Sequence, residues 1–197
     1  SDGRYQLQLK IEVNEKDFDI YEGGIEEAYV FLKKNTKFFN IIAIDPWLLT
    51  LSQHNVLIES LSLSKSKIIF INENLIDKIW LNRPVVTEKN IFWLSPEYTG
   101  ETFLAKLDRV TNVIKNNHCD FYVLFNPNGL AWLLNVRGMD LKHTPVSRSF
   151  CIISKKGEIL IFSENKNFKE IVRKNKKLKL LSKEDLEDII KNIKNKY

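Results

Sequence analysis

Helical patterns and short β-branched runs alternate in the first third of the chain. Ile41–Ile44 and Lys67–Ile71 are apolar runs of the length that buried strands use. Each follows a stretch that places apolar residues on one helix face, Ile25–Lys34 and Leu51–Leu61 respectively. The opening Tyr5–Val13 alternates strictly between polar and apolar residues and, taken alone, predicts another strand.

Residues 73–96 form a connector that is interrupted by prolines. A short helix through Leu75, Ile76, Ile79 and Trp80 should end before Pro84, because proline disfavours helical geometry in the residue that precedes it. We expect a linker here.

The remaining residues, 97–197, predict a mixed-sheet α/β unit. Thr99 is the expected N-cap of an amphipathic helix through Phe103 and Ile114, and Lys155–Gly157 reads as a hairpin turn. Ser182 is the expected N-cap of a closing helix to Asn192, with Asp185 in its first turn. Four apolar runs between the two helices predict strands: Phe121–Phe125, Ala131–Val136, Phe150–Ile153 and Glu158–Phe162.

Composition indicates a globular protein that is part of a longer one. The 197 residues are 44% hydrophobic and 28% charged, and no apolar run approaches the roughly 18 to 20 residues that span a bilayer. The only methionine is Met139, and no signal pattern opens the chain, so we expect it to start inside a longer polypeptide. Cys119 and Cys151 are too sparse for a zinc motif or a disulfide-stapled module, and predict reduced, partly buried thiols.

The net charge of +5 and the pI of about 9.0 raise the question of a nucleic-acid partner. The excess lies in residues 81–197 and includes the run Arg173–Lys179. That run has no interleaved aromatic residue to stack on bases, so it predicts a solvated basic face rather than a nucleic-acid site.

Local motifs for catalysis are scarce. The three histidines lack metal-ligand spacing, and neither a phosphate-binding glycine loop nor a nucleophile elbow occurs. One stretch, 129–146, places Arg137, Asp140 and His143 at three-residue intervals after an apolar run. They could rigidify a loop, through an Arg137–Asp140 ion pair and a His143 bond to the backbone, or form the wall of a substrate site that another domain or subunit completes.

Residues of this stretch carry a resemblance to a known family. Ala131–Asp140, AWLLNVRGMD, followed by Pro145 and Val146, resembles the signature of the second domain of three-domain Xaa-Pro aminopeptidases (aminopeptidase P), in the creatinase/prolidase superfamily. Thr144 stands where that family usually has asparagine. Three further stretches resemble its motifs in the same order: Asp2–Tyr5, Ile44–Trp47, and Asn74–Trp80 with Arg83 and Pro84.

The resemblance implies two creatinase N-terminal-like, ribonuclease-H-like mixed-sheet domains. Residues 1–72 would be the later part of domain I, truncated at its N-terminus, 73–96 the linker, and 97–197 a complete domain II. Trp132, Leu133 and Leu134 would be core residues, and Tyr5–Val13 would be a helix. Because a truncated domain I leaves its strands without neighbours, we expect self-association through residues 1–72.

The resemblance also implies a function. Such enzymes are metal-dependent hydrolases that remove the N-terminal residue from peptides with proline in second position, using two divalent ions, usually Mn²⁺, in a separate catalytic domain. None of that domain's metal motifs occurs here, so no catalytic or metal-binding residue is assigned and the fragment itself should be inactive. Its expected roles are covering the substrate site and assembly, in a cytoplasmic homo-oligomer with no nucleic-acid or membrane partner. Arg137, Asp140 and His143 are the candidate loop near the substrate entrance. The alternative is a non-catalytic peptide- or protein-binding module of the same superfamily.

Overall fold

The computed structural model describes residues 3–62, 64–85 and 89–194. The chain divides into two compact units, Ser1–Pro84 and Val85–Tyr197, and the division lies within the segment 73–96. Asp2, the first residue of one of the family-like motifs, lies outside the described residues.

The first unit is a small parallel α/β arrangement. Strands β1 (Ile41–Ile44) and β2 (Lys67–Phe70) pair in parallel, with Ile41 opposite Lys67. Helix α3 (Leu51–Leu61) makes the crossover that parallel pairing requires. Thr50 begins α3 with a capping box to Gln53. The elements are α1 (Gln6–Glu12), α2 (Ile25–Asn35), β1 (Ile41–Ile44), α3 (Leu51–Leu61), β2 (Lys67–Phe70) and α4 (Leu75–Ile79), with 3-10 turns at Thr36–Phe38 and Pro46–Leu48. The helices and strands predicted from Ile25 to Ile79 are therefore confirmed.

Tyr5–Val13 contains a helix, as the family resemblance implies, and the strand predicted from its alternation is wrong. Leu7 and Ile11 are four residues apart, so a helix places them on one face as readily as a strand does. Helix α1 has no buried residue, and both side chains are exposed. Alternation over so short a stretch could not decide between the two structures.

The core of the first unit lies on one face of its two-stranded sheet. Buried Tyr29, Leu57 and Leu61 pack there against Ile42, Ile44 and Ile68, among others. The opposite face is open, since Ile41 is 59% exposed and Ala43 is exposed as well. Parallel sheets are normally covered on both faces. Among the described residues, no further strand pairs with β1 or β2.

The second unit contains a mixed sheet, as predicted for this class. Its elements are β3 (Ile91–Trp93), α5 (Pro96–Thr99), α6 (Phe103–Asn116), β4 (Phe121–Leu124), α7 (Pro127–Leu134), β5 (Val136–Gly138), β6 (Phe150–Ser154), β7 (Ile159–Phe162), α8 (Phe168–Arg173), β8 (Leu178–Leu181), a 3-10 turn (Lys183–Asp185) and α9 (Leu186–Lys194). The sheet has four strands in the order β4-β6-β7-β8. β4, β6 and β7 are antiparallel, and β8 is parallel to β7. A separate antiparallel pair joins β3 and β5.

Both faces of this sheet are covered. Cys151 and Ile153 of β6 belong to the larger core, together with residues of α6, α7 and α8. Phe150 and Ile152 of the same strand face a second core that includes Leu186 of α9. A strand buried on both faces has no polar alternation, and this explains why Phe150–Ile153 reads as a continuous apolar run.

Two predicted features at the chain turns are confirmed. Gly157 closes the β6–β7 hairpin with φ +82°, a conformation that glycine adopts without steric cost. Ser182 and Asp185 form a capping box, although the first turn that follows is a 3-10 turn and α9 begins at Leu186.

Two predictions for the second unit are corrected. The strand predicted for Ala131–Val136 is wrong, since α7 continues to Leu134 and only Val136 belongs to a strand; a helix buried on most sides lacks the amphipathic pattern that would reveal it. Thr99 ends α5, and Thr102 is the N-cap of α6, accepting a hydrogen bond from the Ala105 N–H at 3.2 Å. β3 lies within residues 73–96 and pairs with β5.

No helix among the described residues is long and apolar enough to cross a membrane.

The open face of the first unit predicts self-association of this chain. Size-exclusion chromatography with light scattering should give a mass above 23.1 kDa that rises with concentration, because burying the apolar face around Ile41 is favourable. Ile41→Lys should shift the population toward monomer. Leu81→Lys, at a residue that is 89% exposed and outside residues 1–72, is the matched control and should not. A wild-type monomer at every concentration would contradict the prediction.

Candidate functional site at the end of helix α7

The most elaborate polar contacts of the second unit surround the end of α7. Asn126 begins the helix by accepting from the N–H of Asn128 at 2.8 Å, and Pro127 occupies its first position. Asn135 ends the helix in the left-handed region, with φ 54° and ψ 35°. Asparagine tolerates this conformation better than most residues do.

Asn135 also ties three other segments to the helix end. Its side-chain Nδ2 donates to the Glu101 carbonyl oxygen at 2.8 Å, and its Oδ1 accepts from Lys106 Nζ at 2.5 Å. The Asn135 carbonyl oxygen accepts from the N–H of Leu94 at 2.8 Å. The side chain and the backbone of this one residue therefore hold the start of α6, the segment after β3 and the end of α7 in register.

Lys106 is the buried cation of this site, with only 2% of its surface exposed. Its Nζ donates to the Trp132 carbonyl oxygen at 3.0 Å and lies 4.7 Å from the centroid of the Trp132 ring. Free carbonyls at a helix C-terminus attract a cation. Burial lowers the pKa of Lys106, the Glu101 carboxylate opposes that shift, and the charges of Arg137 and Arg109 lower the pKa further.

The sequence did not single out Lys106, although a signal was present. It is three residues after Phe103 and four before Val110, so it lies on the apolar face of α6. A lysine at such a position needs a buried acceptor. Its partner Asn135 is 29 residues away in sequence, so spacing alone could not identify it.

Arg137 does not pair with Asp140, and the predicted ion pair is wrong. Its guanidinium Nη1 donates to the carbonyl oxygens of Val136 at 2.8 Å and Ala131 at 3.4 Å. The side chain thus turns back toward the C-terminal end of α7, where carbonyl groups are available. Arg137 is half-buried there.

Asp140 anchors the loop that leads to β6. Its carboxylate accepts from Ser147 Oγ at 2.6 Å, from the Arg148 N–H at 2.9 Å and from Asn165 Nδ2 at 2.9 Å. Asn165 Nδ2 also donates to the Lys89 carbonyl oxygen at 2.9 Å. These charge-assisted bonds join segments that are far apart in the chain, and they favour a loop-fixing role for Asp140.

Gly138 lets the same loop approach β5 closely. A Cβ at this position would lie 2.7 Å from the backbone nitrogen of Ser147, so a side chain would force the two segments apart. The Gly138 N–H donates to the Pro145 carbonyl oxygen at 3.3 Å. The family-like stretch therefore contains glycine because two backbone segments touch there.

His143 is the most accessible of the three candidate residues. It is exposed and has φ 63° in the turn between Leu141 and Thr144, which form a β-bridge. Within the described part of the chain, its imidazole ring has no hydrogen-bond partner. The expected bond from His143 to the loop backbone is not formed.

The chemistry available in the chain is limited. No group of three His, Cys, Asp or Glu side chains among the described residues could hold a metal ion. The two divalent ions that the resemblance implies thus do not fit these residues, and we derive no hydrolytic step from them.

The two cysteines offer no reactive group in the core. Burial raises the pKa of Cys151 to about 12, so its thiol is unreactive. Cys119 is exposed rather than partly buried, and both cysteines are free.

An apolar groove of about 500 Å³ lies beside these contacts, between α6, α7 and β4. Val110 and Val113 of α6, Tyr122 of β4 and Trp132 of α7 line it, among other residues. Trp132 is 45% exposed, whereas Leu133 and Leu134 are buried as expected. The core assignment of Trp132 is therefore wrong, because its ring covers Lys106 at the surface.

Lys106→Met should lower the free energy of unfolding by about 1–3 kcal/mol, since it leaves Asn135 Oδ1 and the Trp132 carbonyl oxygen without their donor. Chemical denaturation measures this, with exposed Lys169→Met as the matched control.

The lowered pKa of Lys106 also predicts how stability depends on pH. The unfolded chain binds more protons than the folded one between the lowered pKa of Lys106 and its ordinary value of 10.5. The wild type therefore gains stability relative to the variant as the pH rises through that interval. A variant as stable as the wild type at pH 7 would show that the network contributes nothing.

A known protein family matches the part of the chain that contains this site. The sequence model of the Creatinase/Prolidase N-terminal domain family matches residues 82–197, which is more than half of the chain. This range contains α7, Asn135, Gly138 and Asp140.

Relatives of known type are Xaa-Pro aminopeptidases. The chain is 28% identical over 179 residues to the probable Xaa-Pro aminopeptidase P of Laccaria bicolor, covering 89% of the chain and 28% of the relative. It is 29% identical over 168 residues to the Xaa-Pro aminopeptidase ApepP of Drosophila melanogaster, covering 84% of the chain and 27% of the relative. The chain thus spans less than a third of the length of these proteins.

A solved structure shares the fold. X-prolyl aminopeptidase from Caenorhabditis elegans, described as a cytosolic enzyme with a di-nuclear active site, superposes with a TM-score of 0.87 at 23% identity, over 99% of this chain and 32% of that one. The resemblance inferred from the sequence motifs is confirmed, and the chain belongs to the creatinase/prolidase N-terminal domain family, in the form found in Xaa-Pro aminopeptidases.

Proposed function

We propose that this chain is the non-catalytic N-terminal region of a metal-dependent Xaa-Pro aminopeptidase, which removes the N-terminal residue from peptides with proline in second position. The observation that carries the proposal is the alignment of most of this chain with about 28% of such an enzyme. The two divalent ions, Mn²⁺ in this proposal, are held by residues elsewhere in that longer protein.

The role of the chain in this proposal is to cover the substrate site and to contribute to assembly. Residues 1–72 correspond to the later part of domain I, 73–96 to the linker and 97–197 to domain II. The start of the family match at residue 82 and the division after Pro84 support two domains joined in this region.

The setting of the enzyme is cytoplasmic, as a homo-oligomer that acts on peptides and uses neither nucleic acid nor membrane as a partner. The description of the Caenorhabditis elegans protein as cytosolic supports the compartment. The open sheet face around Ile41 supports contact between copies.

The loop that carries Arg137, Asp140 and His143 lies near the substrate entrance in this proposal. Asp140 fixes the loop through its bonds to Ser147, Arg148 and Asn165, and Arg137 fixes the strand before it. His143 is left exposed at the turn, where it can reach a peptide.

The alternative is a non-catalytic peptide- or protein-binding module, which the groove with Tyr122 and Trp132 favours. Exposed aromatic side chains in a concave surface are typical of peptide recognition.

Assays of the 197-residue chain with Mn²⁺ and a fluorogenic Xaa-Pro peptide separate these possibilities. We expect no release of the first residue from the chain alone, and release from a longer polypeptide that includes the metal ligands. Turnover by the chain at the rate of a full-length enzyme would contradict the proposal. Peptide binding without hydrolysis in any longer form, lost in Trp132→Ala, would establish the alternative.

Substitutions in the longer enzyme test the loop. His143→Ala should raise KM several-fold with an unchanged melting temperature, because the ring is exposed. Asp140→Ala removes a part-buried, charge-assisted network and should lower the free energy of unfolding by about 2–3 kcal/mol. Arg137→Ala should lower the melting temperature with a normal KM. A normal KM in His143→Ala would remove His143 from the entrance, and exposed Lys142→Ala is the control in the same turn.

A further inference from the structure

Lysines from three separate segments meet at one end of the four-stranded sheet. β6 ends at Ser154 at this end, and β7 and β8 begin there. The Lys155 N–H donates to the Asp120 carbonyl oxygen, and the Ile159 N–H donates to the Lys177 carbonyl oxygen, each at 2.8 Å. These bonds bring residues 115–120, 155–158 and 176–177 together. We call these three segments the basic end.

The basic end contains an open polar concavity of about 700 Å³. The hairpin turn contributes Lys155 and Lys156 to its lining. Lys177 is close to the same turn, since its Nζ lies 3.3 Å from the position that a Cβ on Gly157 would occupy. His118 stands at the rim with φ 55°. The lining residues are Lys115, His118, Cys119, Asp120, Lys155 and Lys156.

Positive charge is in excess in these segments. They contain five lysines against Asp120 and Glu158, a net charge of +3 without His118. Lys155 is bound to Asp120 at 2.5 Å. The other four lysines are exposed, and none of them has an ion-pair partner among the described residues. Like charges gathered at one end of the sheet repel one another, so a multivalent anion would relieve the repulsion.

The chemistry of the lining selects the class of anion. Lysine ammonium groups bind phosphate as point charges and do not require the planar geometry of a carboxylate. Single-stranded nucleic acid, by contrast, is held by aromatic platforms as well as charge. No Phe, Tyr or Trp lines the concavity within the described residues.

We propose that the basic end binds a ligand with two or more neighbouring phosphate groups. This site is separate from the groove and from the loop of Asp140, and it does not depend on peptidase activity. Free oligophosphates and bisphosphorylated lipid headgroups both present this chemistry.

Titration calorimetry of the 197-residue chain with inorganic tripolyphosphate, at about 50 mM salt to limit screening, tests the proposal. Lys156→Gln/Lys177→Gln should weaken binding about ten-fold or more, since charge-assisted hydrogen bonds are removed. Lys142→Gln/Lys169→Gln has the same net charge but changes lysines near the other end of the sheet, and it should stay within about two-fold of the wild type. Circular dichroism and melting temperature verify that each variant is folded.

Each outcome decides one question. Equal weakening in both double variants, or no binding by the wild type, would overturn the proposal in favour of a solvated basic surface. Tighter binding of a ten-nucleotide oligothymidylate than of tripolyphosphate would overturn it in favour of a nucleic-acid interface. Co-sedimentation with phosphatidylcholine vesicles that contain a bisphosphorylated inositol lipid, displaced by tripolyphosphate, would support a headgroup as the source. Tripolyphosphate binding without vesicle binding would support a free oligophosphate.

Discussion

The buried hydrogen bond between Lys106 and Asn135 is the contact on which the second unit depends. It joins the first turn of α6 to the end of α7, and the backbone of Asn135 holds the segment after β3. A buried lysine is unfavourable unless its ammonium group is satisfied. The ammonium group of Lys106 donates hydrogen bonds to the Trp132 carbonyl oxygen and the Asn135 side chain. The end of α7, Lys106 and the strand pair β3–β5 therefore depend on one another.

The following residues extend this arrangement toward β6. Gly138 permits close backbone contact, and Asp140 collects donors from Ser147, Arg148 and Asn165. The family-like stretch is thus a set of structural requirements placed in succession: a left-handed helix end, a close approach and a loop anchor. The residues of this stretch are therefore explained by the backbone geometry of the domain. Of the three candidate residues, His143 is the exposed one, so it can contact another molecule.

The sequence alone predicts the secondary-structure elements whose residues all lie in a similar environment. β1, β2, β6 and β7 are β-branched runs that are recognisable without context, and the cap at Ser182 follows from local hydrogen-bonding chemistry. β8 was missed because its lysine-rich surroundings resemble a solvated face, although Leu178 and Leu180 alternate. α7 was taken for a strand because burial on most sides removes helical periodicity. The Lys106–Asn135 contact depends on tertiary packing, which spacing along the chain does not encode.

The two cysteines of the second unit differ in exposure, so their reaction with a thiol reagent can measure how often the unit opens. Cys119 is exposed, whereas Cys151 is the second residue of β6 and has no exposed surface. A thiol reagent therefore modifies Cys119 in the native state and reaches Cys151 only when the core between the sheet and helices α6, α7 and α8 opens. The rate at which Cys151 is modified measures the free energy of that opening without any introduced label.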